Sequence, residues 1–170
     1  MITLVIDAVA ACFVAVVLAK ISVEDATTRK IRNKKVALIA LAGLLYRIVA
    51  QIEGFIYRDD NGLIQTLEPL WQGIGGTFIV ALPMLLVAYY MHVPIGGGDI
   101  KLMGALGLYV GVRGSLWILL LSCLAVCVVY GVKMAVTRKP ISLRTSVPMG
   151  LYIHIGYTVF ICSRLISPWL

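Results

Sequence analysis

Residues 96–111 read GGGDIKLMGALGLYVG: three glycines, an aspartate, then an apolar run too short to cross a bilayer comfortably. A charged side chain inside a membrane segment is disfavoured by roughly 2.5–3.5 kcal/mol even on the mildest scale. Asp99 therefore marks either a wet protein interior or a site of chemistry, and the rest of the chain decides which.

The 170 residues are 61% hydrophobic and 14% charged, with a mean hydropathy of +0.97. A soluble domain averages about 45–50% apolar and about 25% charged. A soluble core this small cannot hide so much apolar surface, so lipid is the expected solvent and membrane lipid the expected neighbour. The fold class this implies is all-α and polytopic. The formal charge of +7 is what basic cytoplasmic loops produce, and no nucleic-acid partner is expected.

Apolar windows place crossings at about 2–21, 36–56, 70–91, 115–136 and 147–167, with the short stretch Ile100–Gly111 as a sixth. Between them fall a basic loop (22–35), a polar loop (57–69), the glycine loop (92–99), a tight turn at Val112–Gly114 and a second basic loop (137–146). With the amino terminus outside, eleven of the fifteen basic residues lie inside and three outside. That asymmetry predicts six crossings, N-out and C-out. Residues 1–170 read as a single membrane-embedded domain without an appended soluble part.

From Asp99 to Gly111 a helix rises about 18 Å at ~1.5 Å per residue. If its far end reaches the outer interface, Asp99 lies roughly 10 Å inside the cytoplasmic boundary of a ~30 Å core. Irregular backbone survives at that depth only against protein or a water-filled cavity. The glycine loop thus predicts a wet pocket open to the cytoplasm.

A partner acid must come from the same side. Asp7 lies in the outer half of the first crossing, and Glu53, Asp59, Asp60 and Glu68 fall outside. Glu24 and Asp25 remain, in KISVEDATTRKIRNKK. On a helix they point about 100° apart, so only one faces the pocket; the chemistry alone does not choose between them. Two carboxylates brought together share one proton and titrate as a coupled pair. Such a pair hydrolyses amides: one acid takes a proton from water while the other polarises the carbonyl.

GGGDIKLMGALGLYVG resembles the Gly-x-Gly-Asp segment of the type IV prepilin peptidases, a family of intramembrane aspartic proteases. Asp25–Asn33, DATTRKIRN, resembles that family's first aspartate motif, in which basic residues follow the aspartate and Ile-Pro-Asn closes the segment. SVPMGLYIHIG, from Ser146, resembles the Pro-x-Gly stretch that opens the last helix. The three segments stand in the family's order and, together with the six-span plan, the resemblance covers most of the chain. The resemblance implies that Asp25 and Asp99 are the catalytic pair and that Gly96 and Gly98 form the active-site loop. Arg32 stands where the family usually has proline, which leaves the carboxylates in place but alters the first loop. No paired C-x-x-C insertion is present, so the resemblance is to the short, peptidase-only members that serve Flp (Tad) pili, without a methyltransferase part. It implies a leader-bearing prepilin as substrate, cut after the glycine that ends a short basic leader, and no metal or organic cofactor. The archaeal preflagellin peptidases are close relatives on these motifs.

Lys101 reads either as an inside anchor or as a group acting on Asp99 and the substrate backbone. His92 and His154 stand alone, and Cys12, Cys123, Cys127 and Cys162 read as packing residues. Arg47, among apolar residues, needs a partner, with Glu53 or Asp7 as candidates. A rival class is a small transporter or channel component using Asp99 as a proton relay. The chain lacks the matching interrupted halves many transporters show. A scaffold with a degenerate site is a third reading, and the full set Asp25, Gly96, Gly98 and Asp99 argues against it.

Overall fold

The computed structural model describes residues 2–29, 31–56, 62–90, 96–137 and 148–166, with the side chains of 2–5, 53–56, 62–68, 137, 165 and 166 left aside. Those residues form five helices: α1 (Ile2–Thr28), α2 (Asn33–Ile56), α3 (Gly62–Tyr90), α4 (Gly97–Thr137) and α5 (Met149–Ile166). Four segments are long and apolar enough to cross a membrane: Ile6–Thr28, Asn33–Ile52, Pro69–Tyr90 and Gly97–Val136. Val16, Leu41, Phe78, Leu120, Leu124 and Val128 are each more than half exposed. Apolar surface on that scale fits lipid rather than water. The protein is an all-α, multi-pass membrane protein.

The helices overrun the apolar windows. α1 continues to Thr28 and α3 starts at Gly62, so stretches expected as loop are helical, Glu24 and Asp25 among them. Hydropathy locates the hydrocarbon, whereas backbone capping sets where a helix stops. α1 ends because Arg29 turns to φ 53° while its N–H still donates to the carbonyl of Asp25 at 2.9 Å. This left-handed stop is the usual C-terminal cap, here on arginine instead of glycine. The link to α2 is therefore only a few residues long.

α4 is two arms in one. Gly111, at φ 80° and ψ −174°, is the point where it leaves helical geometry, and Val112–Gly114 are helical, so the expected turn lies one residue earlier. The arms run opposite ways along α5. The first arm starts at Asp99, beside the Asp25–Gly150 end of α5, and its Tyr109 reaches Tyr157. In the second arm Gly114 lies against Phe160, and Ile118 and Ser122 lie against Gly156. A residue with a side chain strains at Gly111's φ, so glycine belongs at this reversal.

Small residues bring the backbones together. Gly76 of α3 and Gly107 of the first arm meet backbone to backbone, and a Cβ on either would overlap the other chain. Gly43 of α2 sits against Tyr109 in the same way. The core between helices is Val14, Leu18 and Ile21 of α1, Ile39 of α2, Leu102 and Leu106 of the first arm, Ile118 of the second, and Ile153 and Tyr157 of α5. α1 and α5 are antiparallel neighbours: Tyr157 donates to the carbonyl of Ala11 at 3.0 Å, and Ser22 meets His154 at 3.3 Å.

Candidate active site

Asp25 continues the buried stripe of α1 formed by Val14, Leu18, Ile21 and Ser22, and is only 6% exposed. Its Oδ2 accepts a 2.9 Å hydrogen bond from the backbone N–H of Gly150. The first N–H groups of a helix lack intrahelical partners and favour a carboxylate. Pro148, just before α5, has no such N–H to offer, leaving the amide of Gly150 to meet Asp25. A Cβ at Gly150 would come within 3.0 Å of Oδ2. The Pro-x-Gly segment thus has a local reason: proline to begin the helix, glycine to let a carboxylate in.

Asp99 likewise continues the buried stripe Leu102, Met103, Leu106 of the first arm, 9% exposed itself. It stands in the first turn, where its N–H and that of Ile100 donate to the carbonyl of Gly96 at 3.0 and 3.3 Å. Its carboxyl folds back over Gly96, so that a Cβ there would lie 2.6 Å from Oδ2. Oδ1 is buried with no hydrogen-bond partner among the described residues. The two aspartates, 74 positions apart (99 minus 25), are near enough for the charge of Asp25 to act on Asp99. The two motifs also touch directly: a Cβ at Gly98 would stand 3.0 Å from Cβ of Ile31.

Residues 12–132, a span that holds both aspartates and the glycine loop, match the type IV leader peptidase family. The chain belongs to that family. No curated protein and no solved structure matches it. Membership makes the chain a peptidase, a hydrolase whose substrates carry a leader peptide.

Within this leader peptidase the structure separates the two neighbouring acids. Glu24 is held by cations: its Oε1 lies 3.0 Å from Nε of Arg32 and its Oε2 2.8 Å from Nζ of Lys35. Lys35 also donates to the carbonyl of Lys20 at 3.3 Å. Asp25 is turned to Gly150 instead. Arg32, in the place of the family's proline, thus closes the short α1–α2 link by ion pairing. Lys101 is exposed and off the buried stripe that carries Asp99.

Sequence reasoning missed Gly150 as the amide that holds Asp25, and Ile31 as the contact that joins the motifs. The signal for Gly150 was present in the Pro-x-Gly spacing; that for Ile31 was not. Sequence reasoning also left His154 alone, whereas it meets Ser22 one turn from the Asp25–Gly150 contact. The serine hydroxyl already donates to the carbonyl of Ala19 at 2.9 Å, so His154 supplies the proton of the shared bond through Nδ1–H when that bond stands. Arg47 donates to the carbonyls of Leu108 and Tyr109; of its two expected acids, Asp7 accepts from the Tyr46 hydroxyl at 2.7 Å, and the side chain of Glu53 lies outside the described residues. His92 also falls outside them.

Proposed function

We propose that this leader peptidase is an aspartic endopeptidase that removes the short basic leader of Flp (Tad)-type prepilins for pilus assembly. The reading includes a bacterial inner membrane, six crossings with the amino terminus outside, the two arms of α4 counted separately, and a site facing the cytoplasm. One observation carries it: the two motif aspartates are both buried and their segments touch where Gly98 meets Ile31, while the rival acid Glu24 is engaged by Arg32 and Lys35.

The chemistry follows from a carboxyl pair holding one proton. Water sits between Asp25 and Asp99 and adds to the scissile carbonyl carbon. The ionised acid takes the water's proton as the protonated acid gives its own to the carbonyl oxygen. In the resulting diol the C–N bond breaks. The leaving nitrogen receives a proton from one carboxyl, and the other carboxyl recovers one from the diol. The pair ends with the single proton it began with. Gly150 N–H fixes the direction of Asp25, and Oδ1 of Asp99, buried and without a partner among the described residues, is an acceptor left for water or substrate. Gly96 and Gly98 keep the loop slim beside Asp99, and exposed Lys101 is placed to meet the substrate backbone or the lipid headgroups.

The test is cleavage of a purified leader-bearing pilin by wild type, Asp25→Asn and Asp99→Asn. Each asparagine keeps the size but cannot cycle the proton, so both variants should be inactive at normal protein level. Full activity in either one would remove the two-aspartate mechanism.

A further inference from the structure

Arg47 is 8% exposed in the middle of α2, among apolar helices. Its Nε donates to the carbonyl of Leu108 at 3.0 Å and its Nη2 to the carbonyl of Tyr109 at 2.9 Å. These are successive carbonyls immediately before the break at Gly111. Two glycines clear the way for the side chain. A Cβ at Gly73 would come within 3.2 Å of Arg47 Cγ and Nε, and one at Gly111 within 2.8 Å of Nη2. The guanidinium also lies 5.8 Å from the ring centre of Tyr46, whose ring packs edge-on against Tyr109.

A buried charge is costly and is kept where its hydrogen bonds do something apolar packing cannot. Apolar packing alone lets one helix slide or turn against another. A planar fork on two successive carbonyls permits neither. The same helix is fixed to α1 at its other end, where its Lys35, together with Arg32 just before it, holds Glu24, the neighbour of Asp25. α2 therefore grips both aspartate-bearing helices, one beside Asp25 and the other at the far end of the arm that Asp99 begins.

Resting on the two-aspartate reading above, we propose that Arg47 is a positioning residue for Asp99: it sets the height and rotation of the first arm of α4 relative to α1. A slip of one residue along the arm is a rise of about 1.5 Å and a turn of about 100°. Either takes Asp99 out of register with Asp25.

The test uses the full chain in detergent, with Arg47→Met and Arg47→Lys. Nitroxide labels at Ala26→Cys and Lys101→Cys, after replacing Cys12, Cys123, Cys127 and Cys162, report the α1-to-first-arm distance by pulsed electron resonance. Unlabelled enzyme is assayed on a synthetic pilin segment with a basic leader ending in glycine. In Arg47→Met the distance should shift or broaden by at least the ~1.5 Å of one residue. Its kcat should fall about ten- to a hundredfold with KM held within about twofold. Arg47→Lys, keeping charge without the fork, should fall between, and it carries the test if the methionine variant does not fold. An unchanged distance overturns the proposal, as does a rise in KM with kcat intact. Failure of the wild type to cut the pilin segment would sink the functional reading only, since the distance measurement still decides the role of Arg47.

Discussion

A methyl group at Gly96 would stand 2.6 Å from Oδ2 of Asp99, closer than carbon and oxygen ever settle, so Gly96→Ala must push the carboxyl aside. At Gly97 the same methyl meets nothing within 4 Å. Cleavage rates should therefore fall about a hundredfold for Gly96→Ala, as expected for ~1 Å of misplacement, and stay near wild type for Gly97→Ala. Equal losses would mean that the loop is read by the substrate rather than by Asp99. Glu24→Gln should retain most activity, because the ion pairs it loses lie at a partly exposed surface and such pairs contribute about 0–1 kcal/mol. If Glu24→Gln is dead while Asp25→Asn cleaves, the two acids have been assigned the wrong way round. At this scale bare chemistry names the two acids without choosing between them, and only the motif resemblance points to Asp25. The choice depends on which one continues the stripe of Val14, Leu18 and Ile21, and that stripe is visible only once α1 is known to run through Asp25 to Thr28.

Among the elements, α4 shows what a hydropathy window can and cannot find. The short stretch after Asp99 and the longer one after it were both legible, as was a connection between them near residue 112. The hinge itself was not, because Gly111 is one of several glycines in a run where each reads alike, and only the positive φ singles it out. Gly111→Ala should cost about 1–3 kcal/mol, because φ 80° with ψ −174° is backbone that essentially only glycine adopts, with more from the guanidinium 2.8 Å away. Thermal unfolding in detergent would record it as a lowered Tm. Gly76→Leu should be worse, since its side chain has only the backbone of Gly107 to occupy. An undiminished Tm for Gly76→Leu would show that α3 and the first arm do not meet as described.

For the whole molecule, the basic asymmetry of the loops predicts which ends face the cytoplasm, and membrane-impermeant thiol labelling of single cysteines can check it. A cysteine replacing Lys34 should be labelled only from inside, and one replacing Arg113 only from outside. Labelling of both from one side would refute the six-crossing plan. The lack of a paired C-x-x-C insertion predicts that the trimmed pilin leaves this enzyme with an unmethylated amino terminus even when a methyl donor is supplied. Intact-mass analysis of the product would show any added methyl.

The hydrogen bond between Asp25 and Gly150 joins the beginning of the chain to its last described helix. During synthesis α1 leaves the ribosome first, and 125 further residues (150 minus 25) must follow before the amide that orients Asp25 exists. On the two-aspartate reading, α5 must pack against α1 before Asp25 is oriented for catalysis. A protease sharing a membrane with its own unfinished copies has, in that ordering, a built-in delay.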